Sequence, residues 1–326
     1  MRSPEIKDAD MPAPAAIIVR GLRKAYGRKI VLDGLDLEIP AGSIFALLGP
    51  NGAGKTTAVN ILSTLIAADG GSVRVAGHDP ARDPDAVRAA IGVTGQFSAV
   101  DGLLTGEENL VLMADLHHLP RAEGRRRARD LLERFDLADA AGKPAATCSG
   151  GMRRRLDLAM GLVGRPRVLF LDEPTTGLDP RSRRALWQMI RELAATGVTV
   201  LLTTQYLEEA DQLADRIAVL DHGRIVAAGT ADELKSLVPG GHVRLTFPDA
   251  AGYDAAVRVL TGAVRDDAAL ALQVASGGTA YEIRDLLDQL DRLEVEADRL
   301  SVHTPDLDDV FLALTGRPTL EEATSR

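Results

Sequence analysis

The sequence has 326 residues, of which 45% are hydrophobic and 26% are charged, and its formal net charge is −9. This length and apolar content are enough for about two domains with a sizeable core, and the acidic balance argues against a nucleic-acid binder that works through bulk positive charge. The single cysteine, Cys148, excludes an intramolecular disulfide and fits a reducing compartment.

Both ends of the chain are polar. Residues 1–15 contain acidic residues and prolines where a signal peptide would have a basic start and an apolar core, so we expect a disordered tail. Residues 317–326 predict a second disordered tail. No apolar run approaches the ~18 residues that a membrane span needs, so a membrane role would require a partner.

The first half of the chain predicts strands and then helices. "LDGLDLEIP" alternates with the period of a strand, and "SIFALLGP" predicts an apolar strand that runs into a Gly-Pro break. Asp69-Gly70-Gly71 is typical of a hairpin turn. The Ala-, Leu- and Arg-rich composition predicts a long helical stretch from about Glu107 to Ala146.

The second half returns to strands. "PRVLFLDEP" and "GVTVLLTTQ" are apolar on both faces, as central parallel strands are. Gln205 and Tyr206 then lie at the carboxyl tip of the second strand, on the turn into a helix. The alternation of apolar strands and helices is interrupted by a proline and two glycines at 238–241, where we place a domain boundary. Beyond it, two strand patterns and the amphipathic "YEIRDLLDQLDRL" predict a small α+β unit.

A phosphate-binding loop follows the early apolar strand. "GPNGAGKTT" matches the pattern G-x-x-x-x-G-K-[ST], and the apolar residues Val59, Ile61, Leu62 and Leu65 after it predict a helix. Glycines let successive backbone N–H groups point at phosphate oxygens, and the helix adds its positive amino-terminal end. Lys55 brings a charge to the β- and γ-phosphates, and the Thr56 hydroxyl can ligate Mg²⁺.

An acidic pair ends the strand "VLFLDEP". Asp172 is expected to hold Mg²⁺, and Glu173 is expected to polarise the attacking water, because phosphoryl transfer needs positioning and charge stabilisation. Such a pair alone is more often only the end of a strand. Together with the phosphate-binding loop it predicts nucleotide hydrolysis, and kinases, helicases and GTPases stay open at this point.

"CSGGMRRRLDLA" at 148–159 decides among these classes. A serine followed by two glycines at the start of a helix makes a second anion site, with Ser149 as the N-cap. These residues, and "TTGLDP" after the acidic pair, resemble the signature motif and D-loop of the ATP-binding cassette (ABC) ATPases. The arginine run 153–155 is typical of a solvated helix face, and we assign it no chemistry.

The resemblance implies an α/β fold: a P-loop NTPase cassette with a RecA-like core, an antiparallel β subdomain and a helical signature subdomain, followed by a small α+β carboxy-terminal domain. We place the ATP-binding domain at 16–238, its helical subdomain at about 97–160, and the accessory domain at 241–316. In this family, a head-to-tail dimer sandwiches two ATP molecules between its chains. The accessory domain is expected to help subunit association or regulation.

The resemblance also assigns roles to single residues. Gln96 resembles the Q-loop glutamine, which reaches Mg²⁺ and the attacking water, and Lys55, Gln96, Glu173 and Gln205 are the expected catalytic residues. The expected Mg²⁺ ligands are Thr56, Gln96 and Asp172. The residues expected to bind ATP are Tyr26 (stacked on adenine), Gly49, Pro50, Asn51, Gly52, Ala53, Gly54, Lys55, Thr56, Thr57, Ser149, Gly150, Gly151 and Asp179.

Gln205 departs from the family pattern. It stands at the switch position, where ABC ATPases generally carry histidine facing the γ-phosphate. A glutamine amide still donates a hydrogen bond to phosphate, but it cannot become cationic or shuttle a proton as histidine can. We therefore interpret Gln205 as a γ-phosphate sensor, with a structural glutamine as the alternative.

Several segments resemble the daunorubicin/doxorubicin-resistance branch of the family. They are "GHDPARDPDAVRAAIGVTGQ", "YLEEADQLADRIAVLDHGRIVAAGT" and "LDDVFLALTG". The resemblance implies the ATPase subunit of a drug-exporting transporter, as a homodimer at the cytoplasmic face of the membrane. Its membrane-spanning permease would be a separate polypeptide that docks near 97–119, and nucleic acid is not an expected partner.

Other functions stay open. The transported molecule, for example an anthracycline-like drug, a lipid or a polysaccharide, does not follow from this chain. A soluble ABC protein of translation would carry two cassettes, and one of DNA repair would carry a long coiled coil that "RRRARDLLERFDLADAAG" is too short to form. A regulatory module with inactive ATP sites is disfavoured, because Lys55, Ser149, Asp172 and Glu173 are all present.

Overall fold

The computed structural model describes residues 14–238, 241–292 and 295–316. The strands are β1 (Ala15–Tyr26), β2 (Lys29–Pro40), β3 (Ile44–Leu48), β4 (Gly70–Val75), β5 (Ile91–Thr94), β6 (Val168–Asp172), β7 (Thr199–Thr204), β8 (Arg216–Asp221), β9 (Arg224–Gly229), β10 (His242–Thr246), β11 (Val264–Asp266), β12 (Ala271–Ala275) and β13 (Arg299–His303). The helices are α1 (Lys55–Leu62), α2 (Pro84–Ala90), α3 (Gly106–Leu116), α4 (Arg121–Arg134), α5 (Gly150–Gly161), α6 (Pro180–Ala195), α7 (Leu207–Leu213), α8 (Ala231–Lys235), α9 (Ala250–Val259), α10 (Ala280–Asp291) and α11 (Leu307–Thr315).

The chain divides into two compact units between Ala231 and Asp232. The predicted boundary at 238–241 includes Pro239 and Gly240, which lie outside the described residues. The predicted tails also lie outside them, except residues 14 and 15, and Ala15 is the first residue of β1.

A six-stranded sheet with the order β5-β6-β7-β3-β8-β9 forms the centre of the first unit. Its first five strands are parallel, and β9 pairs antiparallel with β8. Every residue of β3, β6 and β7 is buried, which explains why these segments are apolar on both faces. The prediction of central parallel strands is confirmed.

The helix after β3 is shorter than its sequence pattern suggested. α1 ends at Leu62 and buries Ala58, Val59 and Ile61 against the core, whereas Leu65 lies beyond the helix and is 67% exposed. The chain leaves the helix at Thr64, whose φ of 68° lies in the left-handed region.

A second, antiparallel sheet in this unit has the order β2-β1-β4. Leu35, Leu37 and Ile39 of β2 are buried, as their alternation predicts. The predicted hairpin turn at 69–71 is wrong, because β4 already begins at Gly70 and pairs with β1. Gly71 faces an irregularity in β1, where a residue with a positive φ and no Cβ is needed.

Helices α3 to α5 form the helical part of the first unit. The long helical stretch predicted from about Glu107 to Ala146 contains two separate helices, since α3 ends at Leu116 and α4 begins after Pro120. Pro120 has no backbone N–H to continue a helix, and His118 has a φ of 56° in the left-handed region. α4 ends at Arg134, and two short 3₁₀ turns at Ala138–Ala140 and Ala145–Thr147 lead towards α5.

The second unit has its own antiparallel sheet with the order β11-β12-β10-β13. The predicted strands "HVRLTF" and "LALQVAS" correspond to β10 and β12, and the predicted amphipathic helix corresponds to α10. The buried core of this unit includes Val243, Leu245, Phe247, Leu286 and Leu290. The second unit therefore buries an apolar core of its own.

Candidate functional site

Four segments that carry predicted site residues meet at one edge of the six-stranded sheet. β3 leads into the loop 49–54, β5 leads to Gln96, β6 ends at Asp172, and β7 leads to Gln205. In open α/β sheets, ligands bind outside the carboxyl ends of the strands. This edge is therefore the candidate site.

The loop between β3 and α1 is closely confined at both ends. A Cβ added to Gly49 would lie 2.3 Å from the carbonyl oxygen of Leu220, and one added to Gly54 would lie 2.9 Å from that of Val31. Gly54 also has a φ of 113°, in the left-handed region that favours glycine, and it is the N-cap of α1. Glycine at these positions lets the backbone pass closely, and the positive end of α1 follows directly.

Lys55 places its ammonium group among oxygen atoms of this loop. Nζ donates to the carbonyl oxygens of Gly49 at 2.7 Å and Pro50 at 3.2 Å, and it lies 3.4 Å from Oε1 of Glu173. Burial lowers the pKa of the Lys55 ammonium from its ordinary value, and the nearby Glu173 carboxylate opposes this change. Phosphate oxygens could take the place of the carbonyl oxygens as stronger, charged acceptors.

The acidic pair is buried and held by the neighbouring strand. The Thr203 hydroxyl donates to the Asp172 carboxylate, and the Glu173 N–H donates to both the carbonyl and the hydroxyl oxygen of Thr203, at 3.1 Å each. Glu173 has a φ of 48°, which is strained for a residue with a side chain. The bonds to Thr203 hold this strained backbone in place.

Gln96 reaches the same carboxylate. Its Nε2 donates to Oε2 of Glu173 at 3.3 Å, and the Thr176 hydroxyl donates to the same oxygen at 3.4 Å. A cavity of about 290 Å³ opens beside this cluster. Its lining residues are Lys29, Val31, Asn51, Gly52, Gly54, Lys55, Thr56, Thr57, Gln96 and Glu173.

Gln205 lies between β7 and α7, as its sequence context predicts. Its side-chain oxygen Oε1 is buried and has no hydrogen-bond partner in the described part of the chain. An unpaired buried amide oxygen is unfavourable. Within one chain, therefore, Gln205 has unused hydrogen-bonding capacity at the carboxyl ends of the strands.

The signature and D-loop residues lie at helix starts and do not line this cavity. Ser149 is the N-cap of α5 and accepts a hydrogen bond from the Met152 N–H at 3.2 Å, as predicted. Asp179 is the N-cap of α6 and accepts one from the Ser182 N–H at 3.0 Å. Gly151 packs against this second cap, since a Cβ there would lie 2.6 Å from the Ser182 hydroxyl. The first turns of α5 and α6 therefore lie against each other.

Tyr26 also lies outside the residues that line the cavity. It ends β1 and is 52% exposed, with the Lys24 ammonium 5.6 Å from its ring centre. Two residues that the sequence analysis missed, Lys29 and Val31, do line the cavity. Both belong to β2, directly after the turn that follows Tyr26, and their proximity in sequence to Tyr26 was the available signal.

Arg154 corrects the interpretation of the arginine run. Instead of facing solvent, it is 8% exposed and donates hydrogen bonds to the backbone of the acidic pair. Arg153 is exposed and Arg155 is half-buried. A run of three identical residues gave no sign that only the middle one is buried.

Comparison with known proteins identifies similar chains. A sequence profile described as ABC transporter matches residues 32–176. The daunorubicin resistance ATP-binding protein DrrA3 of Streptomyces coeruleorubidus is 50% identical over 306 residues, which are 93% of this chain and 97% of that protein.

Solved structures share the fold. The ATP-binding subunit of an ABC transporter is 30% identical, with a TM-score of 0.62, over 68% of this chain and 92% of that one. A dimeric ATP-binding cassette in a post-hydrolysis state, bound to ADP and phosphate, is 26% identical with a TM-score of 0.60, over 66% of this chain and 98% of that one. The predicted α/β cassette fold is confirmed.

Proposed function

This chain belongs to the ABC transporter family of ATP-binding proteins, and from that premise we propose that it is the ATP-hydrolysing subunit of a drug efflux transporter. The observation that carries the proposal is the cluster of Lys55, Gln96 and Glu173 beside the phosphate-binding loop. We place the exported substrate among anthracycline-like antibiotics, because the similar protein of S. coeruleorubidus is a daunorubicin resistance protein.

The geometry supports hydrolysis of ATP to ADP and phosphate. The backbone N–H groups of the loop 49–54 and the amino-terminal end of α1 bind the phosphates, and the Lys55 ammonium offsets their charge. Glu173 accepts the proton of the water that attacks the γ-phosphorus, and the bond from phosphorus to the β–γ bridging oxygen breaks. Gln96, which already contacts the Glu173 carboxylate, orients that water.

Mg²⁺ fits the same site. Thr56 lines the cavity, and Asp172 supplies a buried carboxylate that Thr203 orients. With Gln96 they offer the oxygen ligands that Mg²⁺ prefers alongside phosphate oxygens. When bound, the ion would neutralise charge that develops on the phosphates.

Gln205 supplies the γ-phosphate sensor in this proposal. Its buried Oε1 atom has no partner in the described residues, so this acceptor is left for a donor such as a neighbouring N–H group or water. The amide N–H₂ group can donate to a phosphate oxygen while Oε1 accepts elsewhere.

A second copy of the chain completes each ATP site in this account. Ser149 and the two glycines after it begin α5 and lie outside the lining of the cavity in their own chain. A helix start with free N–H groups binds anions, so we propose that this turn, with Asp179 at the start of the neighbouring helix α6, meets the γ-phosphate held by the other copy. Tyr26 would stack on the adenine, as an exposed aromatic at the end of β1.

The membrane partner is proposed to be a separate polypeptide. No helix in the described parts of the chain is long and apolar enough to cross a membrane. Residues 97–119 expose large apolar side chains, with Phe97 88%, Leu103 89% and Leu116 64% exposed, and we propose that the permease docks there. The chain would then act at the cytoplasmic face of the membrane, and the unit at 241–316 would help the subunits to associate.

Phosphate release by the purified chain tests this function. Glu173→Gln keeps the shape of the side chain and removes the proton acceptor, so we expect turnover to fall by about a hundredfold or more while ATP binding is retained. Glu192→Gln, an exposed change on α6, is the matched control. Absence of ATP turnover in the unmodified chain, or normal turnover in Glu173→Gln, would contradict the proposal.

A further inference from the structure

One arginine side chain holds the backbone of two loops of the proposed site. Arg154 Nε donates to the carbonyl oxygen of Pro174 at 2.7 Å, and Nη1 donates to that of Gly95 at 2.8 Å. Nη2 donates to the carbonyl oxygens of Asp172 and Glu173, both at 3.3 Å. A single guanidinium therefore joins the loop after β5 to the loop after β6.

Asp157 extends this contact along the loop after β5. It lies one turn beyond Arg154 on α5, where its Oδ2 accepts from Arg154 Nη1 at 3.2 Å. Its Oδ1 accepts from the N–H of Ala99 at 3.1 Å. Gly95 and Ala99 flank residues 96–98, so the pair holds both ends of the segment that carries the catalytic glutamine.

Stability alone is a poor explanation for this pair. Burial lowers the pKa of the Arg154 guanidinium and raises the pKa of the Asp157 carboxyl, which shows that burial disfavours both charged forms. Apolar residues of similar volume often replace a buried ion pair without loss of stability. What apolar residues cannot replace is the set of hydrogen bonds from the guanidinium to the backbone of both loops.

The helix that carries the pair also carries the signature motif. α5 is continuous from Gly150 to Gly161, and its N-cap is Ser149. At the rise of an α-helix, Arg154 lies only about 8 Å along the axis from that cap. A displacement of the cap therefore moves the guanidinium and the two loops bonded to it.

We propose that Arg154 is a positioning residue for ATP hydrolysis, which sets Gln96 and Glu173 according to the position of α5. The inference rests on the proposed function and adds a physical connection between the start of α5 and the catalytic residues of the same chain. When Ser149 closes on the nucleotide of the other copy, α5 is displaced, and Arg154 transmits this displacement to the chain's own catalytic residues. Arg154 bonds no residue of the loop 49–54 or of the first turn of α1, so the first binding of ATP does not depend on it.

Arg154→Lys tests the proposal. Lysine keeps the charge and can pair with Asp157, but its single nitrogen cannot bond carbonyl groups in two loops as the planar guanidinium does. We expect kcat for ATP hydrolysis to fall by about ten- to a hundredfold, as misplaced catalytic groups do. The dissociation constant for binding of ATP to the monomer should change by less than about twofold, because the Lys55 contacts are intact.

Arg155→Lys is the matched control on the same helix. Arg155 Nη1 also donates to carbonyl oxygens, those of Phe135 at 3.0 Å and Asp136 at 3.2 Å, but these belong to the turn after α4. The control loses comparable hydrogen bonds away from the site. We expect its kcat to stay within about twofold of the unmodified chain.

A double variant, Arg154→Met with Asp157→Leu, separates positioning from folding. The carbonyl groups left without a donor should lower the thermal unfolding midpoint, but by less than in Arg154→Met alone, which leaves the Asp157 charge buried and unpaired. The kcat should nevertheless remain low, since no side chain bonds the two loops. Near-normal kcat in this variant would show that the pair serves stability only, and would overturn the inference.

The outcomes distinguish this inference from the proposed function. If the unmodified chain and Arg155→Lys hydrolyse ATP while Arg154→Lys and the double variant bind it but turn it over slowly, the inference is supported. If Arg154→Lys hydrolyses ATP as fast as Arg155→Lys, the inference is wrong and the proposed function stands. If the unmodified chain has no turnover, the proposed function itself fails.

Discussion

Gln205 follows β7 directly, and we propose that it senses the γ-phosphate through hydrogen bonds. Its Oε1 atom is buried without a partner in the described residues, and it follows a strand that is buried along its whole length. Unlike histidine, the amide has no protonation step near neutral pH. We therefore expect a switch based on hydrogen bonds alone.

Substitution of Gln205 should separate binding from hydrolysis. In Gln205→Ala, the loss of a hydrogen bond to a charged group, worth about 1.5–3 kcal/mol, should lower kcat by about ten- to a hundredfold. ATP binding should be nearly unchanged, because the loop and Lys55 are intact. Steady-state phosphate release and equilibrium ATP binding measure the two effects.

Gln205→His is the companion variant. Histidine restores a donor at this position and adds a group that titrates near neutral pH. We expect turnover to be retained, with a pH dependence that the glutamine enzyme lacks. Unchanged turnover in Gln205→Ala would assign Gln205 a structural role only.

Single residues differed in how far their roles could be predicted. Lys55 and Glu173 occupy motifs whose spacing reflects a required geometry, and the structure brings them within 3.4 Å of each other. Arg154 belongs to no such motif, and its role depends on contacts with loops that are distant in sequence. Glu173 also adopts a positive φ, and its N–H bonds Thr203, a residue that is distant in sequence.

At the scale of secondary structure, Gly71 shows how a local pattern can be misleading. Asp-Gly-Gly is typical of a turn, yet Gly71 belongs to β4 and faces an irregular register between Arg20 and Arg23 of β1. Its φ is 90°, and a Cβ there would lie 2.5 Å from the carbonyl oxygen of Gly21. The glycine is required by the neighbouring strand, which a short sequence window does not include.

Gly71→Ala should destabilise the first unit more than a matched control. Gly77 has a φ of 89° and nothing within 4 Å of a Cβ, so Gly77→Ala carries the conformational strain alone. Overlap with the β1 backbone should cost Gly71→Ala about 1–3 kcal/mol in addition. Urea unfolding midpoints compare the two, and equal midpoints would contradict the close approach of Gly71 to the β1 backbone.

A buried glutamate on α7 predicts a dependence of stability on pH. Glu209 is fully buried and accepts a hydrogen bond from the Trp187 indole at 3.1 Å. Burial raises the pKa of the Glu209 carboxyl above its ordinary value. Between the ordinary and the raised pKa, the unfolded chain releases this proton and the folded chain keeps it, so the free energy of unfolding falls as pH rises.

Glu209→Gln should remove this decline. The amide keeps an oxygen that can accept the Trp187 hydrogen bond, and it has no proton to release. Thermal unfolding at a series of pH values above the ordinary carboxyl pKa measures the slope, with the exposed neighbour Glu208→Gln as the control. A slope in Glu209→Gln as steep as that of the unmodified chain would contradict the prediction.

The core elements of the first unit were more predictable than the connections between its helices. β6 and β7 are buried on both faces, and their continuous apolar composition reflects this directly. The break between α3 and α4 depends on Pro120 and on the positive φ of His118, within a segment whose composition favours helix throughout. Composition predicted helical structure there, but not where the helices end.

For the whole molecule, the proposed mechanism requires two copies of the chain. Each copy holds one cluster for hydrolysis around Lys55 and Glu173, and a separate helix start at Ser149 that lies outside the lining of that cavity. We propose that a second copy brings the two together. The sequence suggested this only through resemblance, because an interface between copies leaves no mark in the periodicity of one chain.

The mass of Glu173→Gln in solution with Mg²⁺ and ATP, measured by light scattering, tests this requirement most directly. The account predicts a dimer with ATP and a monomer with ADP. Adding Ser149→Arg should abolish the dimer, whereas Ser72→Arg on exposed β4 should leave it intact. A monomer in the presence of ATP, or a dimer that Ser149→Arg does not disturb, would contradict the account.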